Sequence, residues 1–228
     1  MKRVSVAMTT YNGEEYLKEQ LDSILKNLSL EDEIIISDDG SQDKTIQILD
    51  EYCQKDSRIQ WIQGPRQGVK QNFANAISHC NGKYIFLADQ DDVWYDNKVE
   101  TVVPYLDKYA VVIHDCIITN SKLEKQEESF FAYRNSGKGI FKNIYKNTYI
   151  GCCMAFHRDL IPIILPIPNN IEMHDQWIGV LGENKKEGSL FLQKKLLLYR
   201  RHETNTSSMK HYPLKKMLLN RYHFMKEY

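Results

Sequence analysis

The chain has 228 residues, 42% of them hydrophobic, enough for a substantial core in one domain with a small appendage. Lysine plus arginine and aspartate plus glutamate both total 30, so zero net charge gives no global attraction to nucleic acid. Five scattered cysteines lack the spacing of a metal site or a disulfide framework, which favours reduced thiols in a cytosolic protein. No apolar signal region follows the start, and no apolar run approaches the ~20 residues that span a bilayer, so we expect a soluble protein.

The first half of the chain alternates strand and helix signals. β-branched runs predict four strands, and apolar residues at helical spacing follow the first three of them. The predicted strands span residues 3–8, 33–37, 58–62 and 83–88, and the helices span 16–28, 41–52 and 69–79. Helices between strands indicate right-handed parallel crossovers, so we expect an α/β fold with a doubly wound sheet and functional loops at the carboxyl ends of its strands.

Polar clusters follow three of these strands. Residues 9–12 (Thr-Thr-Tyr-Asn) follow the first strand, 38–41 (Asp-Asp-Gly-Ser) the second, and 89–92 (Asp-Gln-Asp-Asp) the fourth. Carboxyl ends of parallel strands meet at one edge, where open α/β sheets bind ligands, so a shared ligand is plausible. A turn with a helix cap explains any one cluster equally well, but three at consecutive strand ends weaken that alternative.

The first two clusters suit a nucleotide. Asp38 or Asp39 can accept a hydrogen bond from a base or ribose, and Tyr11 can stack on the base. Thr10 and Asn12 can frame it.

The third cluster suits a metal ion. Asp89, Asp91 and Asp92 stand almost side by side, and three like charges repel unless a cation lies among them. Oxygen-only donors favour Mg²⁺ or Mn²⁺, which proteins usually share with the phosphates of a substrate. The alternative is a solvated acidic turn at a strand end.

Other nucleotide and phosphate folds fit poorly. A dinucleotide enzyme carries G-x-G-x-x-G after the first strand, where this chain has Tyr11 and a single Gly13, and no P-loop motif occurs. A haloacid-type phosphatase would place its Asp-x-Asp after the first strand. A sugar-nucleotide pyrophosphorylase would carry a glycine-rich, lysine-bearing loop there.

The three motifs together resemble family 2 inverting glycosyltransferases of the GT-A fold. Their order and spacing match over residues 4–12, 36–41 and 88–94, and the resemblance covers about residues 1–205. The form Asp-Gln-Asp-Asp-Val-Trp, with His-Asp-Gln-Trp at 174–177 and residues 199–205, is most similar to bacterial rhamnosyltransferase-type members that build surface polysaccharides.

This resemblance implies a donor site. The loop from Thr9 to Asn12 and Asp39 would hold the base and ribose, with Asp38 nearby. Asp89 and Asp91 would bind the ribose and a divalent metal, Mn²⁺ or Mg²⁺, on the diphosphate. Lys70 is a further nucleotide candidate, although a solvated helix face explains it as well.

The second half should bind the acceptor. We predict a strand at 111–119, charged turns over 120–135 and an apolar run at 149–156. Three prolines in 162–168 forbid a regular helix and indicate a rigid connection, and a helix opens at 172. The expected division is a nucleotide-binding half over 1–95, an acceptor-binding half over 96–205 and an appendage over 206–228.

An inverting transfer needs a base that takes the proton of the acceptor hydroxyl. The family places a carboxylate at this helix start, which makes Asp175 the catalytic candidate, with helix capping as the alternative. His202 is a candidate metal ligand, as relatives often place a histidine there. The candidates for substrate or phosphate contacts are Asp92, Trp94, His174, Arg200 and Arg201.

The end of the chain changes character. Residues 203–209 suit a lid over the donor. Residues 211–228 describe a basic amphipathic helix, which suits either an anionic membrane surface or packing on the domain or a partner.

These features predict an inverting, metal-dependent glycosyltransferase for bacterial surface polysaccharide. It would move a sugar from dTDP-rhamnose or a UDP-hexose to a glycan acceptor, either free or lipid-linked, in the cytoplasm or at the inner face of the membrane. The alternative is a nucleotide-sugar-binding or scaffolding module that has lost catalysis.

Overall fold

The structure is a computed structural model that describes residues 2–185, 187–203, 205 and 213–228, with Leu214 described by its backbone only. Most of the predicted lid, residues 203–209, and the start of the predicted C-terminal helix, 211–212, lie outside these residues.

Nine strands form one sheet. They are β1 (Lys2–Thr10), β2 (Glu33–Asp38), β3 (Ile59–Gln63), β4 (Gly82–Ala88), β5 (Val93–Trp94), β6 (Val111–Thr119), β7 (Lys125–Glu127), β8 (Met154–His157) and β9 (Ser189–Arg200).

Nine α-helices accompany the sheet in the described part of the chain. They are α1 (Leu17–Leu25), α2 (Thr45–Lys55), α3 (Val69–His79), α4 (Lys98–Leu106), α5 (Phe130–Arg134), α6 (Ile140–Tyr145), α7 (Ile161–Ile164), α8 (His174–Glu183) and α9 (Leu214–Glu227).

The sheet order is β3-β2-β1-β4-β8-β6-β9-β5, with β7 paired to β6. The four strands of the first half are parallel, as the sequence predicts. Beyond β4 the sheet becomes mixed, since β8 runs antiparallel to both β4 and β6 while β9 runs parallel to β6. The doubly wound description therefore applies to the first half only.

The parallel strands read as nearly continuous apolar runs because helices cover both faces of this part of the sheet. β2 is buried along its whole length, and so are the last seven residues of β1. Leu17, Leu21 and Ile24 of α1 and Phe73 of α3 are fully buried in the same core. Burial on both faces fixes the strand register, and with it the positions of the loops.

The register brings the three polar clusters to one edge. Thr10 lies opposite Asp38 across the β1–β2 pair, and Met8 lies opposite Ala88 across the β1–β4 pair. The loops after β1, β2 and β4 thus leave the sheet side by side.

Several local predictions were wrong. The segment 120–135 contains β7 and α5 as well as turns, and the helix expected to open at 172 begins at His174. The proline-rich segment forms one helical turn, α7, because Pro162 lies in the first turn, where no intrahelical donor is needed.

Among the helices of the described ranges, none combines the length and apolar character that a membrane crossing requires.

Candidate functional site

The carboxylate of Asp38, at the end of β2, is hydrogen-bonded only to neighbouring protein groups among the described residues. It accepts hydrogen bonds from the Thr10 hydroxyl at 2.8 Å, the Ser41 hydroxyl at 2.6 Å and the backbone N–H groups of Gly40 and Ser41. The side chain is 2% exposed. Asp38 therefore shapes the nucleotide-side loop and has little accepting capacity left for a ligand.

Asp39, unlike Asp38, has a carboxylate oxygen that can still accept a hydrogen bond. Its Oδ2 accepts the Gly68 N–H at 2.8 Å, whereas its buried Oδ1 has no partner among the described residues. A buried carboxylate oxygen without a donor is costly, so this atom suits an N–H or O–H group of a ligand.

The loop after β1 is held in place by its backbone. The Gln90 amide accepts from the Tyr11 N–H at 2.8 Å and donates to the Tyr11 carbonyl at 3.1 Å. The Tyr11 ring is 56% exposed and remains available for stacking. Thr9 is buried, and Asn12 uses its side chain to accept the Gln42 N–H at 2.8 Å. Of these loop residues, Tyr11 and Asn12 are exposed, whereas Thr9 and Thr10 are buried.

The acidic cluster after β4 is crowded. Burial, Asp91 and Asp175 together raise the pKa of Asp89 to about 7. Burial, Asp91 and Asp89 raise the pKa of Asp92 well above its ordinary value. Asp92 is fully buried and accepts the Arg200 N–H at 3.0 Å on Oδ1, while its Oδ2 has no partner in the described part of the chain.

Asp91 meets the C-terminal end of the predicted domain. Its Oδ2 lies 2.7 Å from His202 Nε2 and accepts a hydrogen bond from Asn205 Nδ2 at 2.9 Å. The His202 ring packs against Tyr16 with ring centroids 4.8 Å apart. The sequence motif at 199–205 contains Asn205, but an amide beside a carboxylate gives no signal of its own, and sequence reasoning missed it.

Two overlapping groups of side chains could bind a divalent cation. The group around Asp91, which includes Asp89 and His202, suits the cation better than the group formed by Asp89, Asp92 and Cys152. Asp89, Asp92 and Cys152 can bring one ligand atom each within 4.8 Å of one another. Burial raises the pKa of the Cys152 thiol well above its ordinary value, and a protonated sulfur is a poor ligand for Mg²⁺ or Mn²⁺. A cation near Asp89 and Asp91 would instead relieve the repulsion that raises the pKa of Asp89.

All three nitrogens of the Arg200 guanidinium are hydrogen-bonded to protein groups, so they are not available for the predicted phosphate contact. Its Nε donates to the Asp91 carbonyl and its Nη1 to the Ser121 carbonyl, both at 2.7 Å, and its Nη2 pairs with Glu19. Arg200 thereby ties the end of β9 to the acidic loop. Arg201 donates from Nη1 to the Tyr199 hydroxyl at 2.9 Å.

Trp94 also lies inside the protein. The side chain is 2% exposed, and the buried ammonium of Lys98 sits 3.7 Å above its ring. Lys98 Nζ donates to the Cys152 carbonyl at 2.8 Å. This arrangement gives Trp94 a packing role and places a positive charge behind the acidic loop.

The ammonium of Lys70 is hydrogen-bonded to the segment that precedes α8. It donates to the carbonyl of Asn169 at 2.8 Å and to that of Ile171. Lys70 holds the segment that leads into α8, a role that sequence reasoning did not foresee.

Asp175 lies in the first turn of α8. Its Oδ1 accepts the Asn147 side-chain amide at 3.0 Å and the Gln176 N–H at 2.6 Å. Burial raises the pKa of Asp175 to about 6, and its charge is close enough to raise the pKa of Asp89. The Asp175 carboxylate is therefore close enough to Asp89 to interact with it electrostatically.

The side chain of His174 is buried in the core. Its ring stacks on Phe73 with centroids 4.0 Å apart, and burial lowers its pKa to about 3, so the imidazole is neutral. A Cβ on Gly151 would lie 2.8 Å from His174 Nε2, which explains the glycine there. Both ring nitrogens of His174 lack a partner among the described residues, and its predicted substrate contact stays a prediction.

The amino-acid sequence matches the profile of Glycosyl transferase family 2 over residues 5–162. The chain belongs to this family. It is 28% identical over 221 residues to the dTDP-rhamnosyl transferase RfbG of Shigella flexneri, covering 87% of this chain and 72% of that protein. It is 27% identical over 148 residues to the glycosyltransferase GlyA of Streptococcus pneumoniae, covering 65% of this chain and 21% of that one.

Two solved structures show the same fold, which is GT-A. Residues 1–349 of S. aureus TarS in complex with UDP-GlcNAc give a TM-score of 0.70 at 20% identity, over 92% of this chain and 62% of that one. The mannosyltransferase PcManGT of Pyrobaculum calidifontis, in complex with GDP-Man and Mn²⁺, gives a TM-score of 0.62 at 18% identity. The match covers 85% of this chain and 55% of that one. The chain spans less than two thirds of GlyA and of both structures.

Replacing Arg200 by lysine should destabilise the protein, because one ammonium cannot serve partners on three sides. We expect the Arg200→Lys variant to lose roughly 2–3 kcal/mol of unfolding free energy in urea titrations. Arg201→Lys is the matched control and should stay within about 0.5 kcal/mol of wild type. Equal losses in the two variants would contradict the role given to Arg200.

The crowded carboxylates predict that the chelated, metal-free protein loses stability as the pH rises. The pKa of Asp89 is raised to about 7 and that of Asp175 to about 6. Each carboxyl therefore binds a proton more tightly in the folded chain than in the unfolded chain. This proton binding stabilises the fold fully below about pH 4, and the stabilisation is lost as the pH rises through the two raised pKa values. We expect the unfolding free energy to fall by on the order of 2 kcal/mol between about pH 5 and pH 8.

The Asp89→Asn variant should flatten this profile, whereas substitution of the exposed Asp96 by asparagine should leave its slope unchanged. A profile in Asp89→Asn as steep as that of wild type would show that carboxylate crowding is not its cause.

Proposed function

We propose that this protein is an inverting glycosyltransferase that uses a nucleoside-diphosphate sugar. One observation carries the proposal: Asp175 is a buried carboxylate in the first turn of α8, and its charge is close enough to the acidic loop after β4 to raise the pKa of Asp89. The Asp39 oxygen that has no partner among the described residues and the exposed Tyr11 ring lie at the ends of neighbouring strands. These positions support a nucleoside site beside the candidate cation site and the candidate base.

In the proposed reaction the acceptor hydroxyl attacks the anomeric carbon from the face opposite the leaving group. A bond forms between the acceptor oxygen and that carbon, the bond from carbon to diphosphate oxygen breaks with its electron pair, and the hydroxyl proton passes to the Asp175 carboxylate. One such displacement inverts the anomeric centre and needs no covalent intermediate. Because the pKa of Asp175 is about 6, most of the carboxylate is ionised at neutral pH and still basic enough to accept the proton.

Asp91, with Asp89 beside it and His202 opposite, would hold the divalent cation. A carboxylate and imidazole set favours Mn²⁺ over Mg²⁺, which prefers oxygen ligands alone. When bound, the cation would neutralise charge on the departing diphosphate. Asp39 would accept a hydrogen bond from the nucleoside, and Tyr11 would cover its base.

The relatives indicate candidate donors. RfbG, similar over 87% of this chain, is named a dTDP-rhamnosyl transferase, and TarS has been solved with UDP-GlcNAc. We infer dTDP-rhamnose or a UDP-hexose as donor and a growing bacterial surface glycan as acceptor. A catalytically inactive binding module of the same fold is the alternative outcome of the tests.

Binding measurements distinguish these outcomes. By calorimetry, one of UDP, dTDP, GDP or CMP should bind with Mn²⁺ at least tenfold more tightly than with chelator, since the cation bridges protein and phosphate. Asp91→Asn should abolish this metal dependence. Absence of binding by all four nucleotides would rule out a nucleotide-sugar site.

The matched variant Asp175→Asn separates binding from catalysis. It should retain nucleotide affinity and lose roughly 10²–10⁴-fold in the rate of sugar transfer, the usual contribution of a general base. An unchanged rate would contradict the assignment of Asp175, and wild-type binding without transfer to any glycan would favour the inactive module.

The C-terminal helix supports contact with an anionic membrane surface. Phe224 of α9 is 1% exposed and packs against Trp177, so one face of the helix docks on the domain. The opposite face leaves apolar side chains exposed: Leu218, Leu219, Tyr222 and Met225. Phe141 and Tyr145, 87% and 67% exposed, lie on α6, which contacts α9. Exposed apolar residues flanked by lysines are typical of interfacial helices.

Liposome sedimentation tests this contact. Wild-type protein should bind vesicles containing about one third phosphatidylglycerol and not vesicles of phosphatidylcholine alone. Replacing both Lys215 and Lys226 by glutamate should weaken binding at least tenfold, because each cation near an anionic surface contributes about 1 kcal/mol. The same change at the exposed Lys108 and Lys122 is the matched control. Equal binding by both double variants would refute a role for α9.

A further inference from the structure

Asn147 contacts the base candidate and was not singled out by any sequence motif. It lies in the segment between α6 and β8, and its Nδ2 donates to Asp175 Oδ1 at 3.0 Å. Its Oδ1 accepts the Tyr149 N–H at 3.0 Å. The side-chain amide of Asn147 thus links the backbone at Tyr149 to the carboxylate of Asp175.

The Tyr149 contact fixes the direction of the amide. A backbone N–H can only donate, so the atom of Asn147 that faces it must be the oxygen. The nitrogen must then face Asp175. The Asn147 carbonyl also accepts a hydrogen bond from Arg134 Nη2 at 3.1 Å, so the backbone at this position is held from a third side.

Both short contacts of Asp175 fall on the same oxygen. Oδ1 accepts from Asn147 and from the Gln176 N–H at 2.6 Å. Hydrogen bonds to one carboxylate oxygen lower its proton affinity. Proton uptake is therefore directed to Oδ2.

We propose that Asn147 is a positioning residue that locks Asp175 with Oδ1 turned to the protein and Oδ2 turned to the acceptor hydroxyl. This inference rests on the proposed function, because it assigns Asn147 a part in the same transfer. Asn147 acts through Asp175 and does not itself touch the reacting atoms.

The other groups around Asp175 explain why the contact matters. Burial and the charge of Glu172 raise the pKa of Asp175, and the charge of Asp175 in turn raises the pKa of Asp89. Tyr149 is held neutral, because burial and Glu183 raise the pKa of its phenol. The Asn147 amide and the N–H groups of Gln176 and Gly151 act in the opposite direction. Without the amide, burial and the charge of Glu172 would raise the pKa of Asp175 further.

The Asn147→Asp variant makes the sharpest test. It keeps an oxygen for the Tyr149 N–H but replaces the donor facing Asp175 by a second acceptor. We expect the acid limb of the kcat profile to move up by at least about one pH unit, which is a tenfold change in the proton-binding constant. The KM for the donor should change less than threefold, since Asn147 does not contact the nucleotide site.

Two further variants guard against a merely structural effect. Asn147→Ala removes the donor without adding a charge and should move the acid limb in the same direction by a smaller amount. Ser136→Ala removes the hydrogen bond from Ser136 to the Thr148 carbonyl at 3.0 Å, loosening the same segment without touching Asp175. Its acid limb should coincide with that of wild type, and circular dichroism should show that all variants are folded.

Carboxyl ¹³C NMR, with the Asp175 signal assigned from Asp175→Asn, follows the same group without catalysis. A titration midpoint of Asp175 that rises in Asn147→Asp together with the kinetic limb supports the inference. An unmoved midpoint and limb in a folded variant overturn it. If wild-type protein transfers no sugar while the midpoint still rises, the proposed function fails and the positioning role fails with it, although the hydrogen bond itself is confirmed.

Discussion

Crowding of carboxylates at the end of β4 is the constraint on which the rest of the site depends. Asp89, Asp91, Asp92 and Asp175 converge where the parallel half of the sheet meets the mixed half. Buried like charges are costly unless they are neutralised, paired or hydrogen-bonded. The second half of the chain supplies such contacts: the backbone N–H of Arg200 for Asp92, a histidine and an amide for Asp91, and an ammonium behind the loop at Lys98.

The sequence was informative where a general rule determines position. Parallel strands end at one edge, so the convergence of the loops after β1, β2 and β4 followed from the alternation of strands and helices alone. Asp39, Asp91 and His202 came to that edge because backbone register places them there. The GT-A fold and the family were likewise predictable, since three motifs in order and spacing define them.

The sequence was uninformative where side-chain direction decides the role. Lys70, Trp94, His174 and Arg200 all lie near the predicted site, yet each faces the protein interior or a neighbouring loop. A motif gives the position of a residue along the chain but not which tertiary partners compete for its donors. Asn147 and Asn205 were missed for the converse reason, since a lone asparagine in a loop is common and its contact with a carboxylate depends on distant parts of the fold.

The path of β9 has a consequence for how the molecule folds. The hydrogen bond between Arg200 and the Asp91 carbonyl joins residues 109 positions apart, and β9 also pairs with β5, the strand that follows the acidic loop. Closing so long a loop is entropically unfavourable, and contacts of this kind form slowly compared with the local β–α–β units of the first half. We therefore expect the parallel sheet to assemble first and the acidic loop to acquire its shape last. An intermediate without β9 would leave one edge of β6 unpaired, which makes this late step the point at which the chain is most exposed to aggregation.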